Sequence, residues 1–264
     1  METITFLLGP LLACLLLILI HAYFGIHILE RGIIFVDLAL AQFIGIGIAL
    51  SFLAGEEKLL PLSLAFALFG AFILSLARRV AGHVNIEAFI GILYIFAFAA
   101  SILILDRSPH GTEEFKAIMN GNIIWVTPRE LLSTFIVYAG VGILHFLLRR
   151  RFFALSFTGQ GGMATEFLFF VSFAVVLVKS VALAGVLQVF AFLIIPALIG
   201  RLFCRRTLSM LLVGWTVGVL VSIGGIYLSL LLDIPTSPAI VAGLAMVFFA
   251  LLGAKMLFGR ARSV

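Results

Sequence analysis

Along the 264 residues, long apolar runs alternate with short polar breaks from one end of the chain to the other. The runs fall at about 5–29, 32–54, 61–77, 88–105, 131–148, 167–182, 184–200, 208–232 and 238–258. A hydrocarbon core ~30 Å thick takes about 20 apolar residues per helical crossing, so these lengths predict transmembrane helices. The breaks are Arg31, the acidic "GEEK" from Gly55, "RRVAGHVNIE" from Arg78, "DRSPHGTEEFK" from Asp106, Arg149 to Arg151, Arg201 with Arg205 and Arg206, Asp233, and a tail with Lys255, Arg260 and Arg262.

Basic and acidic breaks alternate, and the positive-inside rule assigns the Arg clusters and the C-terminus to the cytoplasm. Glu56 to Lys58, Asp106 to Glu130, Asp233 and the amino terminus then lie outside. The run 167–200 tests this scheme, because as one helix it would carry Arg201, Arg205 and Arg206 to the outer face. Two shorter crossings that turn near Lys179 to Ala184, with Gly185 as the break and Lys179 snorkelling to the outer interface, restore the alternation. The expectation is an all-α polytopic membrane protein of nine crossings, or eight if one piece is re-entrant. With no internal repeat or low-complexity linker, residues 1–264 read as a single transmembrane domain.

Composition supports this reading: 64% of residues are apolar and 11% charged, against roughly 45–50% and 25% in soluble domains. The net charge of +5 comes from short clusters between spans, a topological pattern and not a nucleic-acid stripe. The start of the chain lacks a positive n-region and its apolar run is too long for a signal peptide, so it reads as a retained first span. No H-E-x-x-H, G-x-S-x-G or cysteine cluster points to an enzyme, and no G-x-x-x-x-G-K-[ST] points to nucleotide binding.

An ionisable residue inside a span costs at least ~2.5–3.5 kcal/mol, which makes each one a functional candidate. In "IIFVDLALAQFIG" these are Asp37 and the neutral polar Gln42; His21 lies in the first span. With span one starting near Phe6 and span two near Gly32, a rise of 1.5 Å per residue sets His21 and Asp37 roughly 8 Å from the inner boundary. They then meet across the first hairpin, either as a cation or proton site or as a structural tie, with Asp37 alternatively favoured by the helix dipole of span two. Gln42, near the midplane, points ~140° from Asp37 and suits an interhelical hydrogen bond. Outside, His110, Glu113 and Glu114 form a candidate metal-capture set, or else the first turn of a short surface helix capped by Thr112. Cytoplasmic His83 and Glu87 read as an interfacial helix start.

Four stretches in order, "FVDLALAQFIGIGIALSFL" at 35–53, "IMNGNIIWVTPREL" at 118–131, "AGVLQVFAFLIIPALIGRLF" at 184–203 and "LLLDIPTSPAIVAGL" at 230–244, resemble the permease subunits of the zinc/manganese/iron family of ABC importers. The resemblance covers nearly the whole chain and implies a half-transporter in a bacterial inner membrane. Two copies would form the path, a separate ATPase would bind ATP and dock on the cytoplasmic face, and an extracytoplasmic solute-binding protein would deliver the cargo. The chain itself would hold no cofactor. By carry-over, Pro196, Gly200 and Arg201 become coupling candidates; Pro196 is also expected to break its span just before a basic turn.

One departure concerns the cargo. The family pattern has Asp and, four residues later, His in its second span, one helical turn apart on one face; those positions fall on Leu38 and Gln42. Asp37 is one position early. The implied function is ATP-driven import of a divalent cation (zinc, manganese or iron). Two alternatives stand: another solute, such as a metal chelate, on the same scaffold, or a stand-alone proton-coupled carrier with Asp37 and His21 as relay.

Overall fold

A computed structural model describes residues 2–54, 59–80, 82–108, 111–121 and 123–260. Among them there is no strand. The helices are α1 (Glu2–Arg31), α2 (Val36–Ala54), α3 (Leu59–Ser75), α4 (Ala77–Val80), α5 (Ile86–Leu105), α6 (Gly111–Asn120), α7 (Pro128–Leu147), α8 (Arg149–Phe157), α9 (Met163–Phe203), α10 (Thr207–Leu232) and α11 (Thr236–Arg260). A 3₁₀ turn, Ile123–Trp125, joins α6 to α7.

Local chemistry sets several ends. Helix α1 stops in a Schellman motif: Gly32, with φ +64, donates to Leu29 O, and Ile33 N donates to Ile28 O, which satisfies carbonyls that the helix end leaves orphaned. Helix α5 starts on Asn85, whose side chain accepts from Ala88 N at 3.1 Å. Helix α7 starts with a full capping box, Thr127 and Glu130 reciprocating, and Pro128 at its first position. The turn from α10 to α11 passes through Asp233 in the left-handed region and is tied by Ser229 Oγ to Thr236 Oγ1 at 2.7 Å.

Helix α9 decides the topology. Its 41 residues would reach about 60 Å if straight, yet both its ends lie beside the last turn of α1. Glu166 pairs with Arg31, while Arg201 lies 3.5 Å from Glu30 and from Leu29 O. The helix therefore folds back on itself at Gly185, whose φ of 75° and ψ of 166° leave the helical region. Arms 163–184 and 186–203 form a hairpin, which is the turn expected near Lys179 to Ala184. Seven helices are long and apolar enough to cross a membrane. Counting α9 twice and adding the 17-residue α3, about 26 Å long, the described residues make the nine crossings the sequence predicts.

Among the seven long spans, α9 and α2 are the most buried and α11 is the least. Phe169, Phe170, Phe173 and Phe192 of the hairpin sit in the main core with Leu17 and Phe24 of α1 and Leu40 of α2. Around them α5, α7, α10 and α11 expose apolar side chains such as Ile95, Phe135, Leu220 and Phe249, as a lipid-facing surface must. Glycines let backbones pack closely where the hairpin meets α1 and the end of α6. Gly25 abuts the carbonyl of Leu193, and Gly121, with φ +62, abuts the backbone of Ala184 and Gly185. The second contact clamps the α6–α7 connection onto the tip of the hairpin.

Candidate functional site

Polar chemistry inside the bundle concentrates at the end that carries the Arg clusters. Arg31 and Glu166, with side chains 8% and 3% exposed, form a buried ion pair between α1 and the start of α9. The Arg31 guanidinium lies over Phe169 and Phe170, 5.3 and 4.9 Å from the ring centroids. One side of this pair opens on a cavity of about 350 Å³ lined by Glu30, Arg31, Ser156 and Glu166. Beside it His27 Nδ1 is 2.8 Å from Ser156 Oγ, linking α1 to α8. His145 of α7 is bonded on both ring nitrogens, to Tyr23 Oη at 3.0 Å and Ser172 Oγ at 2.7 Å, and its ring stacks on Phe152. The set ties α1, α7, α8 and α9 together through buried polar side chains; His145 is bonded on both ring nitrogens, whereas His27 is bonded through Nδ1 and its buried Nε2 has no hydrogen-bond partner.

The expected Asp37–His21 pair does not form. His21 is fully buried; its Nδ1 is 2.8 Å from Leu17 O, and its Nε2 has no hydrogen-bond partner. Asp37 is fully buried too, and neither of its oxygens has a partner. The depths explain the miss: α1 runs ten residues past His21, about 15 Å, while Asp37 is the second residue of α2. Asp37 does occupy the first turn of α2, where the helix dipole favours a carboxylate.

Gln42 is buried and reaches across to α6, its Nε2 3.9 Å from Met119 Sδ. Leu38 packs in the same region, with Ala41 of α2, Ile118 and Met119 of α6, and Val181 and Val186 beside the hairpin tip. Gln42 thus makes the interhelical contact expected of it, under the clamp formed by Gly121 and Gly185.

In the outer set, Glu113 is exposed on α6, whereas His110 and the Glu114 side chain lie outside the described residues. Thr112 falls within α6, which begins at Gly111; it is not the residue preceding the helix. Glu87 accepts from Phe35 N at 3.0 Å, so it caps the approach to α2 from the neighbouring α5.

Of the coupling candidates, Pro196 does not break its span. The helix continues to Phe203, since proline removes one backbone donor and the surrounding packing holds the segment. A side chain on Gly214 of α10 would come within 2.7 Å of Pro196 O, and one on Gly200 within 2.3 Å of Met210 O. Both contacts bind the return arm to α10 at backbone distance. Arg201 anchors that arm to the end of α1, leaving Phe203, Arg205 and Arg206 exposed in the turn to α10.

Sequence reasoning missed His27, His145, Glu166 and the pairing of Arg31. His145 falls near the end of the run 131–148 and Glu166 just before the run 167–182, so neither stood out as a polar residue deep inside a span. His27, six residues after His21, does not share its helical face. Among the described residues no three of His, Cys, Asp and Glu converge to hold a metal ion.

A nine-crossing helical bundle with a hairpin of two crossing arms, clamped at its tip, and a basic exposed turn at the opposite end suits a membrane permease. The chain belongs to the ABC 3 transport family, whose model matches residues 3–255. It is 26% identical over 255 residues to the manganese transport system membrane protein MntC of Listeria monocytogenes, covering 93% of this chain and 89% of that one. It is 27% identical over 170 residues to a probable metal transport system membrane protein of Chlamydia trachomatis; that match spans 60% of this chain and only 56% of the relative's length. In fold it is similar to a chain of PsaBC from Streptococcus pneumoniae solved with a Fab, at a TM-score of 0.77 and 23% identity, over 93% of this chain and 90% of that one.

Proposed function

We propose that this chain is the membrane-spanning subunit of a divalent-metal ABC importer of a bacterial inner membrane, with manganese as its foremost cargo. The observation that carries the reading is the family match over 3–255, joined to near full-length similarity to a manganese transport membrane protein. Zinc and iron are the other ions of the class. A separate ATPase supplies ATP hydrolysis, docking on the exposed turn of Phe203, Arg205 and Arg206. An extracytoplasmic solute-binding protein loads the outer face, where His110, Glu113 and Glu114 are the capture candidates. A second copy of the chain completes the path.

Within this reading Asp37, Gln42 and His21 are the path candidates. A carboxylate with both oxygens unbonded inside the hydrocarbon region is tolerated only with a proton or a cation, so Asp37 is suited to meet a passing ion. The Gln42 side-chain carbonyl suits a hard ion such as manganese better than zinc. Because Asp37 and His21 are not joined, a proton relay between them has no support from the packing.

The test is ATP-dependent uptake of radioactive manganese, zinc and iron into proteoliposomes holding this chain, its co-encoded ATPase and its binding protein. Manganese uptake that stops without ATP is the expected result. Uptake that persists without the ATPase and collapses with the proton gradient would overturn the reading.

A further inference from the structure

Between α1, α7 and α10 runs an apolar groove of about 700 Å³. Its walls include Leu16 and Leu19 of α1, Phe135 and Phe146 of α7, and Leu208 and Trp215 of α10; Arg149 and Thr207 stand at its inner mouth. We propose that this groove is a binding site for an anionic phospholipid of the cytoplasmic leaflet, its acyl chain along the groove and its phosphate at Arg149.

The lining argues for a chain without hydrogen-bonding groups. The aromatic polar groups on the wall are already bonded: Tyr23 Oη to His145 Nδ1 at 3.0 Å, His145 Nε2 to Ser172 Oγ at 2.7 Å, Tyr138 Oη to Ser180 Oγ at 2.6 Å, and Trp215 Nε1 to Leu19 O at 3.2 Å. What remains toward the groove is hydrocarbon, which favours an acyl chain over a polar solute. The depth agrees. Phe135 to Phe146 rises about 17 Å along α7, close to one leaflet's share, ~15 Å, of a ~30 Å hydrocarbon core.

Charge selects the headgroup. Arg149 spends one N–H on Phe146 O at 3.2 Å, with its guanidinium 4.7 Å from the Phe146 ring centroid. This snorkelled pose holds the cation where headgroups lie. Arg150 and Arg206 are exposed close by in sequence to Arg149 and Thr207. The same charges argue against a second copy in the groove. A two-fold axis along the membrane normal would set this patch against itself at equal depth, and like charges would face each other.

The test uses the tryptophans, of which the chain has two. In a Trp125→Phe background Trp215 alone reports on the groove. Its fluorescence is measured in vesicles doped with phosphatidylglycerol or phosphatidylcholine brominated in the acyl chain. Expected is quenching by both, with an apparent preference for the anionic lipid of about fivefold, the effect of one surface arginine. Arg149→Gln should abolish the preference and Arg150→Gln, which does not line the groove, should keep it. Gly142→Phe, where an added side chain meets open space, should fill the groove and weaken quenching by either lipid. Equal quenching by the two lipids in the Trp125→Phe protein, which needs no groove variant, would overturn the proposal. So would a preference that survives Arg149→Gln, or a Trp215 that neither lipid quenches, which would mean that protein covers the groove.

Discussion

Replacing Gly185 with alanine attacks the fold at its most constrained backbone. With φ 75° and ψ 166° the residue occupies a region that is essentially reserved for glycine, and forcing a side chain there costs about 1–3 kcal/mol. The new Cβ would also stand 2.3 Å from Gly121 N, 2.4 Å from Asn120 C and 2.8 Å from Met119 O. These are backbone atoms that cannot rotate away, so the clamp must open, at about 1–3 kcal/mol for overpacking. The sum, about 2–6 kcal/mol, is a large share of the roughly 5–15 kcal/mol by which proteins are stable. At about 2–4 °C per kcal/mol, the midpoint should fall by at least ~4 °C.

The assay is size-exclusion chromatography of detergent-solubilised protein after stepped heating, read as the loss of the monodisperse peak. Gly140→Ala on α7 is the control: an added Cβ meets no atom within 4 Å, and alanine in a helix is favoured over glycine by roughly 0.5–1 kcal/mol. Gly121→Ala opens the same clamp from the other side, since its Cβ would lie 2.1 Å from Ala184 C. The double variant should therefore lose less than the two single losses added. A Gly185→Ala protein that melts with its parent would refute the hairpin geometry itself.

The buried pair gives a second test: Glu166→Gln should destabilise by about 3–5 kcal/mol by stranding Arg31, whereas Arg31→Met/Glu166→Leu should recover most of the loss. The same heating assay separates the two outcomes. Asp37→Asn should abolish metal uptake while leaving co-purification with the ATPase intact; normal uptake would remove Asp37 from the path. Arg205→Ala/Arg206→Ala should weaken ATPase binding and flatten its salt dependence, and unchanged binding at low and high salt would exclude that turn as the docking element.

The crossings were legible because a membrane leaves a protein few choices. Every backbone group must be paired within its helix, so run length alone located α2, α5, α7, α10 and α11 to within a few residues. Even the hairpin could be read: an uninterrupted run at 167–200 put arginines on the wrong face, and a glycine stood where the turn was required. The short surface helix offered at Thr112 is present as α6, but α8 escaped for the converse reason. The basic α8 has no apolar run to announce it, and it is held in place by Phe152 and Leu155, which insert into the core.

The polar interior was harder to read because pairing depends on depth, and depth depends on where helices end. Starting span two at Gly32 placed Asp37 level with His21. The Schellman turn at Gly32 and the following residues delay α2 to Val36, and the two side chains part. The same few residues bring Arg31 to the boundary of α9, where Glu166 becomes its buried partner. An apolar run shows that a span exists, but the register between spans is set by caps and glycine contacts. A polar residue in a run therefore marks a candidate, and only the helix ends decide whether it finds a partner, as Arg31 does, or is left with two unbonded oxygens, as Asp37 is. That difference is why Asp37→Asn, and not a variant of the paired Arg31, is the substitution that tests the proposed path.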